Sequence, residues 1–433
     1  MPLPSLYSLF PVGGAAIVIL FATGDTLCGR ILSIRPIVSL GLVSYSAYLW
    51  HQPLFAFARI RLASTPTQDV MLILSAASVG LAYLSWFYVE RPFRIRGHFS
   101  KGFVYANSVL VAIVLTSFGI AGYLGGGFPS RLPADAITAS NRASETVPRA
   151  EECFGEVESF ISPDKSCTYP PLSNATVAIW GDSHVAAISE ALGDELREQN
   201  KGLREFSFSG CPPIGDVHFL AKDRQLCPKY NQLVTSYIRA HHEISTIILF
   251  ARWSVYMDGY RYDNGEGGIS GDLQEYLMAL PSNKDASYIH SPDRVNVLGR
   301  IFRSKIQELL DDGRQVVLVY PVPEIGWNVP QKIAKQTFFY GRDDLEFPLS
   351  VSFESFTRRS KNIREQLDLL PDHPKLLKIR PENLFCNTVA VSGRCIAEDK
   401  GIPLYSDDNH LNGDGAKILA RYIADALKSK VAR

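Results

Sequence analysis

The chain has 433 residues, with 44 basic and 44 acidic side chains and 46% hydrophobic content. That length exceeds one ordinary core and predicts two or three domains. The balanced charge gives no basic field to draw nucleic acid, and the hydrophobic content excludes wholesale disorder.

Four apolar runs precede residue 125: Leu6 to Ala22, Ile37 to Ala58, Val70 to Val89 and Phe103 to Leu124. His51 is the only ionisable group of note in the second, and the others lack Asp, Glu, Lys and Arg. The length rule predicts about four transmembrane helices in a lipid bilayer over residues 1–125. A signal peptide is the alternative for residues 1–22, without the usual basic start. Arg30 and Arg35 lie in the first loop, Arg59 and Arg61 in the second, and Arg91, Arg94, Arg96 and Lys101 in the third. The positive-inside rule puts the third loop in the cytoplasm and everything after Leu124 outside. The same parity puts the N-terminus outside, which points to preceding helices, carried for instance on a separate chain. His51 is a candidate polar site in the membrane, with helix packing as the alternative.

Through residue 101 there are eight basic and three acidic residues, leaving 36 basic and 41 acidic. Six of the seven cysteines follow: Cys153, Cys167, Cys211, Cys227, Cys386 and Cys395. An even number in an exported domain predicts disulfides. Sequential pairing would close three short loops, but other connectivities stay open. No CxxC pair suggests zinc, and Cys28 is expected as a free thiol.

Gly125-Gly126-Gly127-Phe128-Pro129 marks the exit from the membrane, and residues 126–174 read as a polar, irregular linker. Residues 175–433 then alternate strand and helix patterns. Val177-Ala178-Ile179-Trp180 leads into a helical stretch with Ile188, Leu192 and Leu196. Ile247 to Phe250 is the next apolar run. Residues 296–312 are helical in pattern and precede Val316 to Tyr320; a weaker run covers Leu376 to Ile379. A final helix carries Ala416, Leu419, Tyr422, Ile423, Ala426 and Leu427 on one side. The alternation predicts an α/β/α domain with a parallel sheet.

Ligands of such sheets bind at the carboxyl ends of the strands, where Ser183 follows the first one. There its oxygen would face a crevice, and its backbone N–H could meet an oxyanion. A lone serine before a helix is more often an N-cap. Tyr405-Ser406-Asp407-Asp408-Asn409-His410-Leu411 shifts that balance. A histidine can take the serine proton, and a carboxylate three residues earlier can orient the imidazole.

Gly181-Asp182-Ser183-His184 and Asp407-Asp408-Asn409-His410-Leu411 resemble the first and last blocks of the SGNH hydrolase superfamily. The resemblance implies Ser183 as nucleophile, His410 as base and Asp407 as its partner, with Asp408 the competing acid. Gly210, in Phe208-Ser209-Gly210-Cys211-Pro212-Pro213, resembles the second block, whose N–H joins that of Ser183 in the oxyanion hole. The usual GxND is absent. Phe250-Ala251-Arg252-Trp253-Ser254 takes its place, so Arg252 is either a substrate or oxyanion contact or a structural ion pair.

The membrane part resembles the end of the acyltransferase-3 family. The stretches that carry this are Phe10 to Ala16, Ser44-Tyr45-Ser46-Ala47-Tyr48-Leu49-Trp50-His51-Gln52-Pro53-Leu54 and Val89-Glu90-Arg91-Pro92-Phe93-Arg94. The fusion is the architecture of bacterial O-acetyltransferases for surface polysaccharide or lipopolysaccharide. It implies a multi-pass inner-membrane protein with a periplasmic C-terminal domain, a glycan acceptor and acetyl-CoA as donor, with His51 as a possible donor contact. No nucleotide or metal motif is visible, and no bound cofactor is expected. A periplasmic esterase using the same triad, or an inactive remnant, are the alternatives.

Overall fold

The computed structural model describes residues 8–62, 66–95, 98–142, 147, 149–156, 158–171, 175–215, 218–219, 225–259, 262–270, 278–279, 292–341, 348–389 and 391–431. The expected start of the first span at Leu6, the loop charge Arg96 and parts of the predicted linker lie outside them. The chain divides into two compact units, Met1–Pro129 and Ser130–Arg433.

The first unit is helical: α1 (Leu9–Phe21), α2 (Arg35–Arg61), α3 (Gln68–Ser85) and α4 (Lys101–Leu124), with short turns of helix between. After α3 a π-helical stretch, Trp86–Glu90, continues into Arg91–Arg94. Among the described residues two helices are long and apolar enough to cross a membrane, Gln68–Arg94 and Lys101–Leu124. The other two expected spans differ. α1 is apolar but has 13 residues, about 20 Å at 1.5 Å per residue, short of a bilayer core of about 30 Å. α2 has 27 residues, but Ser44, Ser46, His51 and Gln52 dilute it, and Pro53 lies inside it. His51 bonds its own helix: Nδ1 lies 2.6 Å from the Tyr48 carbonyl oxygen, and the ring packs against Tyr48 and Phe55. Leu110, Leu115 and Phe118 of α4 are exposed, an apolar face of the kind that lipid covers.

The second unit is built on a six-stranded sheet. Its strands are β1 (Thr168–Tyr169), β2 (Val177–Gly181), β3 (Leu203–Ser207), β4 (Thr246–Phe250), β5 (Gln315–Val319) and β6 (Leu376–Ile379). They lie in the order β1-β3-β2-β4-β5-β6. β2 to β6 are parallel, with Val177 opposite Leu203 and Thr246. β1 is antiparallel to β3, so the expected all-parallel sheet is mixed, and its edge comes from the predicted linker. β3 escapes the apolar pattern because Arg204 and Glu205 interrupt it; the buried Glu205 carboxylate accepts from Tyr169 and Ser207.

Alternate strand residues face opposite layers. Ile179, Ile248 and Val317 pack with α5 (Ser183–Glu198) and α10 (Gly413–Val431). Trp180, Leu249 and Leu318 pack with α6 (Cys227–Ala240) and α8 (Pro292–Asp311), and with Ile363 and Leu367 of α9 (Phe353–Asp368). The short α7 (Trp253–Asp258) follows β4. Chain order reverses at β2: β3 lies on one side of it and β4 on the other. A crevice opens beyond the carboxyl end of a strand at such a point.

The six later cysteines pair sequentially, Cys153–Cys167, Cys211–Cys227 and Cys386–Cys395, and Cys28 is free. Cys211–Cys227 ties the loop after β3 to the start of α6, across 16 residues. Replacing both cysteines by serine is expected to cost about 3 kcal/mol, since a loop of that length restricts the unfolded chain by roughly that much. Thermal unfolding of the purified protein checks it: Tm should fall by several degrees.

Candidate active site

β2 is buried along its whole length and ends at Gly181. A Cβ at that position would overlap the Phe250 carbonyl oxygen on β4. Glycine lets the two strand ends meet there and lets the chain turn at once into α5. Asp182, not Ser183, caps the helix: one carboxylate oxygen accepts from the His184 N–H at 2.9 Å. The other accepts from the Arg252 backbone N–H at 2.9 Å and the Tyr256 hydroxyl at 2.5 Å. One buried carboxylate therefore ties the end of β2 to the loop after β4. Ser183, relieved of capping, is the first residue of α5, with its N–H at the positive end of the helix dipole.

The second strand of chain arrives from the turn before α10. Ser183 Oγ lies 2.7 Å from His410 Nε2. His410 Nδ1 lies 2.6 Å from Asp407 Oδ2. The other Asp407 oxygen accepts from the backbone N–H of Asn409 at 2.8 Å and of His410 at 2.7 Å. Burial pushes the Asp407 pKa up, but the His410 charge and these hydrogen bonds outweigh it and hold it far below the carboxylate range. Burial likewise disfavours charged His410, yet Asp407 prevails, and its pKa sits above the ordinary value. Asp408, the competing acid, turns elsewhere: its carboxylate accepts from Ser270 and lies 3.7 Å from Arg252 Nη2.

Gly210 follows β3 with φ of +62°, a left-handed conformation natural to glycine. It lines the same cavity of about 370 Å³ as Ser183, Asp407 and His410. Among the described residues, the N–H groups of Ser183 and Gly210 have no protein partner. Arg252 also borders this cavity. Its guanidinium is bound to Glu324, with Nε donating at 2.9 Å. Arg359 donates to the other Glu324 oxygen at 3.0 Å and to Asp258 at 3.0 Å. Burial opposes the Glu324 charge, but the two arginines draw its pKa down to about 2. Arg252 thus stands in a buried ion pair and also borders the cavity.

Asp182, His184, Asn409 and Tyr256 had no role assigned from sequence, although the first three lie in the quoted motifs. His184 is buried and donates from Nε2 to Asn409 Oδ1 at 3.0 Å. Its ring centre is 4.8 Å from that of His410. Asn409 thereby anchors the turn carrying His410 onto α5. Tyr256 lies outside any motif, and only its place in the helix after β4 brings it to Asp182.

A family model described as the SGNH domain (fused to AT3 domains) matches residues 152–425. The chain belongs to that family. No curated protein matches this SGNH chain. Among solved structures, it is similar to the periplasmic domain of a Salmonella ser. Paratyphi A lipopolysaccharide acetyltransferase, at 13% identity and a TM-score of 0.44 over 69% of this chain and 98% of that one. It is similar to the acetyl xylan esterase AlAXEase at 16% identity and a TM-score of 0.29, over 59% and 98%. A possible lipase from Chitinophaga pinensis DSM 2588 is similar at 13% identity and a TM-score of 0.27, over 59% and 98%. The SGNH match begins at residue 152, inside the stretch read from sequence as a linker.

Burial lowers the His184 pKa to about 4, with the nearby His410 and Arg252 adding to this and Asp182 opposing it. The folded protein therefore binds this proton less readily than the unfolded chain, whose histidine titrates near 6.5. The stabilisation is complete above about pH 6.5 and fades on the order of 3 kcal/mol as pH falls towards 4. The stability advantage of the wild type over His184→Asn should shrink by a comparable amount over that window. Denaturant unfolding of both proteins at stepped pH measures it.

Proposed function

We propose that the SGNH domain transfers an acyl group, most simply acetyl, onto a hydroxyl of a cell-surface glycan through a Ser183 acyl-enzyme. The observation that carries this is the continuous line of contacts from Ser183 Oγ through His410 to Asp407, at 2.7 and 2.6 Å, opening onto a cavity. Ser183 Oγ attacks the acyl carbonyl carbon as His410 Nε2 takes its proton. Asp407 holds the opposite ring nitrogen protonated and stabilises the imidazolium. The developing oxyanion faces the N–H groups of Ser183 and Gly210. Collapse expels the donor's leaving group, which receives the proton from His410. A glycan hydroxyl then gives its proton to His410 and attacks the acyl carbon, and the Ser183 ester bond breaks as the proton returns to Oγ.

Acetyl-CoA on the cytoplasmic side is the proposed donor for the full membrane system, whose helices would pass the acetyl group outward to Ser183. Gln68–Arg94 and Lys101–Leu124 are proposed to span a bacterial inner membrane and to leave the SGNH domain outside. Three disulfides in that domain favour an oxidising compartment. Hydrolysis is the second reading. Ser183 is only half-buried, so water can replace the glycan as acceptor.

Ser183→Ala should abolish both fluorophosphonate labelling and glycan acetylation while the protein still folds and reaches the membrane; undiminished acetylation would remove Ser183 from the mechanism. Asp407→Asn should lower kcat by roughly a thousandfold or more, through the wrong imidazole tautomer. The base must be neutral, and the His410 pKa is raised, so wild-type activity should begin to fall above pH 6.5 as the medium is acidified. In Asp407→Asn the acid limb should move to lower pH. Rate profiles with a chromogenic acetyl ester record both effects.

A further inference from the structure

A second cleft of about 310 Å³ shares Val147 and Ser406 with the cavity at Ser183. Its position follows from the fold. α5 begins at Ser183, and α10 begins three residues after His410. The two helices pack side by side, so the groove between their outer faces leads away from the nucleophile. Ala187 and Ala191 of α5 and Ala416 of α10 form a floor of small side chains. Glu190 and Asp194, four residues apart, stand on one wall, and Arg142 and Lys417 complete the rim. Arg142 is steadied by Asp414 at 2.9 Å.

We infer that this cleft is the acceptor subsite, which binds a hydroxyl-rich sugar residue next to the one being acylated. The inference rests on the acyl-enzyme reading and names where its acceptor lies. A low alanine floor admits the flat face of a sugar ring. Carboxylates accept hydrogen bonds from pairs of neighbouring hydroxyls, and the cations donate to hydroxyl and ring oxygens. Charges of both signs line one cleft, which suits a neutral polyhydroxylated ligand better than an anion or an acyl chain. Water as acceptor uses none of this, so the cleft sets how the acyl-enzyme divides between sugar and water.

That division is the test. The full-length protein is acylated with p-nitrophenyl acetate in the presence of maltose, cellobiose, lactose or N,N'-diacetylchitobiose, and acetylated sugar and free acetate are both counted. Their ratio comes from one acyl-enzyme, so a changed acylation rate cancels. The double variant Glu190→Gln/Asp194→Asn is expected to lower the ratio at least fivefold for the best disaccharide, with sugar concentration dependence shifted upwards. Lys417→Gln should lower it less. Equal ratios in wild type and variants for every disaccharide would overturn the subsite. Absence of a p-nitrophenol burst in the wild type, with Ser183 unlabelled, would instead sink the acyl-enzyme reading and the subsite with it.

Discussion

The contact between Ser183 Oγ and His410 Nε2 joins two points 227 residues apart in the chain. Neither residue could hold it alone, because Ser183 begins α5 beyond the carboxyl end of β2 and His410 sits on the turn before α10. Two longer-range devices hold it. α5 and α10 pack along one face of the sheet through Ile188, Leu192, Leu419 and Ile423, which sets the distance between their first turns. The His184–Asn409 hydrogen bond then pins one turn to the other. In the proposed mechanism a shift of one ångström between the helices would break the proton path, so the apolar face of the C-terminal helix would serve catalysis as well as stability.

The two adjacent histidines divide their roles through environment. His184 is buried and His410 half-buried, and only His410 has a carboxylate hydrogen-bonded to its ring. Were His410 to take the serine proton as proposed, a second cation 4.8 Å away would oppose it. Burial with an amide as partner keeps His184 neutral, so it can stand beside the base without competing for the proton. The same logic explains the cap. Asp182 spends its carboxylate on backbone and tyrosine donors, which leaves the first N–H of α5 facing the cavity.

Much of this was legible in the amino-acid order because the reacting groups lie in short local blocks. Ser183 is read from a strand followed at once by a helix, and Asp407 and His410 from a spacing that one turn can close. The sequential disulfides were legible only as one possibility among several. Other features depend on contacts that no local pattern encodes. β3 carries charges whose partners, such as Tyr169, come from elsewhere. β1 is two residues long and exists only as the neighbour of β3. The acid was readable as Asp407 from spacing. That Asp408 belongs to Ser270 and Arg252 could be learned only from the fold.

The stretch after β4 shows how a departure from the family pattern is accommodated. A buried guanidinium carries a large desolvation cost unless its charge is matched. Here Arg252 and Arg359 pair with Glu324 and Asp258, and Asp408 lies 3.7 Å from Arg252. Asn362 adds a hydrogen bond to Asp258 at 3.0 Å. The cluster fixes the loop from which Arg252 donates its backbone N–H to Asp182. The side chain thus pairs with Glu324 while the main chain of the same residue holds Asp182. Arg252, in the place of the usual amide, braces the strand ends through its backbone N–H, and in the proposed mechanism the backbone N–H groups of Ser183 and Gly210 would receive the oxyanion.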